Sequence, residues 1–150
     1  MNSPRKPLLL IVEDEAIVAM ELEARMTQLN YRVAGPAATC EAALKLAGAE
    51  RPDLVLTDIR LAGSRDGIDV AHELRTRYCV PAVFLSAHAD PATVRRALKS
   101  EPYGYLTKPF REQELHATIE VALQRHRLEG ERKRGLGGCC NAAAGTEKPS

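Results

Sequence analysis

The run Leu54-Val55-Leu56-Thr57-Asp58 constrains the fold most, because it carries no charge until it ends on a carboxylate. Pro52-Asp53 punctuates its start, and Gly63 and Gly67 mark the loop beyond. A short, uninterrupted apolar run of this kind suits a strand buried on both faces, as in a parallel sheet covered by helices. Leu8-Leu9-Leu10-Ile11-Val12 is a second such run and ends on Glu13-Asp14-Glu15. In open α/β sheets, ligands sit outside the carboxyl ends of the strands. Asp58 is therefore delivered to the place where such folds do chemistry.

Between these runs the apolar pattern becomes helical. From Ala16 to Asn30, Ala19, Leu22, Met26 and Leu29 share one face at about 100° per residue, and Ile17 and Met20 fall off it. Tyr31 to Ala34 reads as a short strand closed by Gly35-Pro36. Thr39 is a fitting N-cap for a helix through Ala49, with Ala43, Leu46 and Ala47 inward, and Arg51-Pro52 ends it. Asp66 caps a helix from about Gly67 to Tyr78 whose stripe is Ile68, Ala71 and Leu74. The run Ala82 to Leu85 stops at Ser86, and Asp90-Pro91 opens a helix from Ala92 to Lys99. Tyr103 to Thr107 reads as the last strand, followed by Lys108-Pro109. The final helix spans about Arg111 to Leu128, with Leu115, Ile119, Ala122 and His126 on one arc. A strand followed by a helix, five times over with short connections, predicts an α/β fold with a doubly wound five-stranded parallel sheet.

The 150 residues suit one such domain over residues 7–128, between a short extension (residues 1–6) and a tail. That tail, residues 129–150, holds the basic run Arg132-Lys133-Arg134, several glycines and three consecutive alanines. It has too few large apolar side chains to build a second core, and is expected to be flexible. A net charge of +1 offers no polyanion surface, so neither nucleic acid nor a membrane is an expected partner. The apolar stretch Leu8 to Val12 is too short for a secretory signal, and a cytoplasmic location is expected. The four cysteines form no convincing framework. Cys40 and Cys79 suit reduced, buried thiols, and Cys139-Cys140 has no nearby histidine to complete a metal site.

The residues at the strand ends form a constellation. The first strand delivers Glu13 and Asp14, the third Asp58, the fourth Ser86 and the fifth Lys108. Two carboxylates about 4 Å apart repel by roughly 4 kcal/mol at an effective dielectric of about 20. Gathering three of them calls for cations: Lys108 is one, and a divalent metal balances the rest. Hard oxygen ligands, with no His or Cys at a strand end, favour Mg²⁺ or Mn²⁺. Such a metal beside an ionised Asp, a Lys and a Ser hydroxyl suits a phosphoryl group, whose transfer needs chiefly positioning and charge neutralisation. Asp58 is then the nucleophile, and Ser86 and Lys108 bond the phosphoryl oxygens.

With these residues in place, the chain from Pro7 to Leu128 resembles the receiver domain of bacterial two-component response regulators. The matching motifs are Ile11-Val12-Glu13-Asp14-Glu15, Leu54 to Asp58, Phe84-Leu85-Ser86-Ala87 and Tyr105-Leu106-Thr107-Lys108-Pro109-Phe110. The resemblance implies the (βα)5 flavodoxin-like receiver fold and a phosphoacceptor role for Asp58. It implies metal binding by Glu13, Asp14, Asp58 and the main-chain carbonyl of Arg60. It further implies a phosphoryl grip by Lys108 with the main chain of Ala87, a switch pair of Ser86 and Tyr105, and a cis peptide at Lys108-Pro109. Arg60 and His88 occupy positions that in the family tune hydrolysis of the acyl phosphate. Leu61-Ala62 stands where family members often have Met-Pro.

The implied partner is a histidine kinase or histidine phosphotransfer protein. A second apolar stripe on the last helix, Ala117, Val121 and Leu128, suggests a homodimer or an output protein on the 92–128 face. The alternatives within this reading are an intermediate carrier in a phosphorelay and a receiver fragment of a larger regulator or sensor. A haloacid-dehalogenase-type phosphatase would need an acid two residues after the nucleophile, where Arg60 stands. A flavin module would place its cofactor phosphate against Glu13-Asp14-Glu15. A pseudo-receiver would lack an acid or the lysine, and none is missing. The expected chemistry is thus that of a phosphoacceptor signalling domain and not of an enzyme acting on other molecules.

Overall fold

In the computed structural model, residues 6–61, 63–87 and 90–135 are described. The strands are β1 (Leu8–Val12), β2 (Arg32–Ala37), β3 (Leu54–Asp58), β4 (Ala82–Ser86) and β5 (Gly104–Thr107). They alternate with α1 (Ala16–Gln28), α2 (Cys40–Glu50), α3 (Gly67–Tyr78), α4 (Pro91–Lys99) and α5 (Glu112–Gly135). The sheet is parallel throughout, in the order β2-β1-β3-β4-β5. The order reverses between β1 and β3, which is where open α/β sheets form a crevice.

The uncharged runs are strands because both of their faces are covered. Leu8, Leu10, Val12, Val55 and Phe84 project toward α2, α3 and α4, where they meet Cys40, Ala43, Ala47, Ala71, Leu74 and Ala97. Leu9, Ile11, Leu54, Leu56, Val83 and Leu85 project the other way, toward Leu22 and Met26 of α1 and Leu115, Ile119 and Ala122 of α5. Each fully buried leucine on these two faces stabilises the fold by about 1.5–3 kcal/mol. Ile17 and Met20 lie exposed on α1, on the side the periodicity placed away from the core.

Local punctuation sits where the sequence put it. The Thr39 hydroxyl accepts the Ala42 N–H at 3.1 Å, and Asp90 accepts that of Thr93 at 2.9 Å. Asp66 and Asp69 form a reciprocal capping box at the start of α3. The Asp53 carboxylate accepts the Leu8 N–H at 2.8 Å, fixing where β1 and β3 begin. The Lys108-Pro109 bond is cis, as the family resemblance implied.

Three expectations are corrected. First, β2 does not close at Gly35-Pro36 but runs on to Ala37, with a second cis bond inside it and a shift of register against β1. It is the edge strand, so the missing N–H of Pro36 interrupts no ladder on its outer side. Gly35 adopts φ +97°, and a Cβ there would meet the Ile11 carbonyl at 2.8 Å. Second, α5 does not stop at Leu128 but continues through Gly135, and polar contacts reach it at Arg125 and Glu129. The Tyr103 hydroxyl donates to Glu129, and the Arg125 guanidinium lies 4.9 Å from the Tyr103 ring centre. Third, Cys40 is the buried thiol expected, whereas Cys79 is disulfide-bonded. Cys79 sits half-buried at the C-cap of α3, not in the core. The expectations for residues 1–5, Ala62, His88, Cys139-Cys140 and the rest of the tail past residue 135 lie outside the described residues.

Candidate functional site

The carboxyl ends of β1, β3, β4 and β5 bring the expected residues to one edge of the sheet. Pairing sets Thr57 beside Val12 and Asp58 beside Leu85, so Asp58 ends the central strand between the segments carrying Glu13 and Ser86. Ser86 pairs with Thr107, which leaves Lys108 next in line, its N–H bonded to the Ser86 carbonyl at 2.8 Å. A cavity of about 340 Å³ opens above these ends, lined by Asp14, Glu15, Asp58, Arg60, Leu61, Ser86, Ala87 and Lys108.

Lys108 anchors the electrostatics. Its Nζ lies 2.9 Å from Asp58 Oδ2 and 3.1 Å from Glu13 Oε1. Glu13 is below the cavity surface, with a side chain only 1 % exposed, and its other oxygen accepts the Glu15 N–H at 3.2 Å. Burial, then the neighbouring Asp58 charge, pushes the Glu13 carboxyl up to about 7 despite the bond from Lys108. Burial alone would lower the Lys108 ammonium. The hydrogen bond and charge of Asp58, then those of Glu13, hold it raised instead.

The backbone around Asp58 is equally constrained. Its Oδ1 accepts the Arg60 N–H at 3.0 Å, turning the chain back at the cavity rim. The Thr57 hydroxyl donates to the Asp58 carbonyl at 3.0 Å. Gly67, the first residue of α3, packs so closely that a Cβ on it would stand 1.9 Å from that same carbonyl oxygen. Its N–H bonds the Ile59 carbonyl at 2.7 Å. The sequence marked Gly67 as a loop signal and a helix start; the close approach was invisible without the packing.

The residues present fit a divalent cation in chemistry. They are hard oxygen donors, and one of them, Glu13, is a carboxyl held above its ordinary value by burial and then by the neighbouring Asp58 charge. Among the described residues, no three acidic or metal-ligating side chains already stand grouped to hold an ion. Lys108 bridges Glu13 and Asp58, while Asp14 is exposed at the rim.

Tyr105 is not in this cavity. It pairs with Phe84, its ring edge-on with centres 6.5 Å apart, and is half-buried against the α3–α4 side of the core. It helps line a separate groove of about 490 Å³ with Leu98, Tyr103 and Arg125. Leu98, Val121 and Leu128, all on α4 or α5, are about half exposed or more. No helix among the described residues is long and apolar enough to cross a membrane.

Comparison with known proteins agrees with this architecture. The family model described as response regulator receiver domain matches residues 9–120. The chain is 38 % identical over 132 residues to the transcriptional regulatory protein PdtaR of Mycobacterium tuberculosis, covering 85 % of this chain and 63 % of that protein. It is 37 % identical over 116 residues to the phyllosphere-induced regulator PhyR of Methylorubrum extorquens, covering 77 % of this chain and 43 % of that one. It therefore spans only part of these relatives. Among solved structures, the signal receiver domain of a modulated diguanylate cyclase from Desulfovibrio desulfuricans superposes with a TM-score of 0.80 at 37 % identity, over 83 % of this chain and 99 % of that one.

Proposed function

The chain belongs to the response regulator receiver domain family, and from that premise we propose that it takes up a phosphoryl group on Asp58 and relays the change to a partner. Receiver domains of this family are signalling modules of two-component systems that work with histidine kinases and output domains. The observation that carries the proposal is the Lys108 ammonium at 2.9 Å from Asp58, at the mouth of a cavity that Ser86 and Ala87 also line.

In the proposed reaction an Asp58 oxygen attacks the phosphorus of a phosphohistidine from a histidine kinase or histidine phosphotransfer protein. The P–N bond breaks as the P–O bond forms, and the histidine nitrogen leaves with the electron pair. Lys108, already charged and aimed at Asp58, moves its contact to a phosphoryl oxygen. The Ser86 hydroxyl and the Ala87 main chain bond the other oxygens. Glu13, Asp14, Asp58 and the Arg60 carbonyl are the groups that would hold Mg²⁺ or Mn²⁺, which would supply charge neutralisation for the transferred group.

The consequence is a population shift, because the phosphoryl group favours the packing that best contacts Ser86 and Lys108. Ser86 is drawn toward Asp58, and the Tyr105 ring adjusts beside α4. The exposed Leu98, Val121 and Leu128 support the 92–128 face as the place where an output protein or a second copy reads the change. We place this exchange in the cytoplasm. The test is chemical: after treatment with acetyl phosphate and Mg²⁺, borohydride reduction converts an aspartyl phosphate to homoserine. Peptide mass mapping is expected to find homoserine at position 58, and homoserine at another acid instead would overturn the assignment.

A further inference from the structure

Of the five helices, α4 is the least held by apolar packing: Ala97 is its one buried residue, whereas α3 buries Gly67, Ile68, Val70, Ala71 and Leu74. What fastens α4 to its neighbour is polar. Near its end, Arg75 of α3 donates to the Ser100 carbonyl at 2.9 Å and to that of Glu101 at 3.3 Å. Further up, Arg96 Nη1 donates to Asp66 Oδ2 at 3.0 Å.

Asp66 is no ordinary surface partner. Its Oδ1 accepts the N–H groups of Ile68 and Asp69, and its own N–H bonds the Asp69 carboxylate at 2.8 Å. The next residue, Gly67, is pressed against the Asp58 carbonyl. The oxygen that Arg96 grips is therefore fixed, through one rigid cap, to the end of the strand bearing Asp58.

We propose that the Arg96–Asp66 pair is a latch that ties α4 to the acceptor strand and opposes displacement of α4 when the acceptor site is occupied. The proposal rests on the phosphoacceptor reading for its trigger but not for the latch itself. A helix with so little buried surface has a shallow preference among positions, so one exposed pair is enough to weigh on it. Arg96 would act as a positioning residue, through Asp66, without touching the phosphoryl group.

The test uses the full chain as wild type, Arg96→Ala, Arg96→Lys, Asp66→Asn and the double variant Asp66→Asn/Arg96→Ala. Asparagine keeps the helix cap while removing the charge. Titration with beryllofluoride and Mg²⁺, followed by NMR, is expected to show either Arg96→Ala or Asp66→Asn binding roughly two- to five-fold tighter, the range that an exposed pair supplies. Arg96→Lys should return toward wild type, and the double variant should gain no more than the larger single one. Amide exchange without any phosphoryl mimic should rise in residues 91–99 of Arg96→Ala and stay unchanged in α3. If wild type fails to bind beryllofluoride, the phosphoacceptor reading falls, and the exchange data alone then decide the latch. Unchanged exchange in α4, or unchanged or weaker binding in both single variants, would overturn the latch.

Discussion

The Lys108 ammonium stands 2.9 Å from the Asp58 carboxylate, joining the end of the central strand to the loop that follows β5. Its second contact, 3.1 Å to Glu13, makes it the shared counter-charge of two carboxylates that differ in environment. Asp58 faces the cavity, and Glu13 lies beneath it. One lysine thus contacts the proposed acceptor and the buried acid together.

Removing that charge should cost the chemistry more than the fold. In Lys108→Ala the phosphoryl group loses the ammonium that contacts its proposed acceptor, and the rate of labelling by acetyl phosphate is expected to fall about 100-fold, as when a preorganised donor is deleted elsewhere. Circular dichroism should remain that of a folded α/β protein. Labelling at the wild-type rate would remove Lys108 from the mechanism.

Glu13 sets a pH dependence. Its folded value of about 7 lies above the ordinary 4.5, so the stability linked to this group in the metal-free protein is fully present below 4.5 and lost as pH rises through 7. A metal ion favours the ionised form, so binding below pH 7 releases a proton, and apparent Mn²⁺ affinity should weaken by up to about tenfold per unit of falling pH. Electron paramagnetic resonance titrations on both sides of neutrality would measure this. Glu13→Gln should bind more weakly overall and lose the dependence; a wild-type affinity flat through pH 7 would contradict it.

Much of this arrangement was legible because strands buried on both faces must be written as uncharged runs. The charged or hydroxyl residue that ends each run marks the carboxyl edge of the sheet, which is how Glu13, Asp58, Ser86 and Lys108 could be placed together. Helical faces were equally readable, as Leu22 and Met26 inward and Ile17 and Met20 outward show on α1. Features set by position in the sheet or by distant polar contacts were not. β2 passes through Gly35-Pro36 because it is an edge, and that depends on strand order. The extra turns of α5 follow Glu129, which meets Tyr103 26 residues away, in a segment polar enough to read as tail. The Asp66–Arg96 contact, 30 residues apart, has no local signature either.

The close approach of Gly67 to Asp58 is a steric demand. An alanine Cβ, 1.9 Å from the carbonyl oxygen, can be accommodated only by moving α3 off the strand. Gly67→Ala is expected to destabilise the protein by about 1–3 kcal/mol, the usual cost of overpacking. Urea unfolding measures this, and a loss within error of zero would mean that the α3 start yields freely.

Tyr103→Phe removes the hydroxyl bonded to Glu129 but keeps the ring under Arg125. The expected loss is about 1.5–3 kcal/mol, typical of a hydrogen bond to a charged group. It should be felt locally, as faster amide exchange over residues 126–135. Unaltered exchange there would show that the later turns of α5 are held by other contacts.

One phosphoryl group is proposed to enter on Asp58 under the control of a divalent ion. Intact-mass spectrometry after incubation with acetyl phosphate tests it most directly, on wild type with Mg²⁺, wild type with a chelator, and Asp58→Asn with Mg²⁺. A single added phosphoryl group is expected in the first sample and none in the other two. Equal labelling of Asp58→Asn, or labelling undiminished by the chelator, would contradict it.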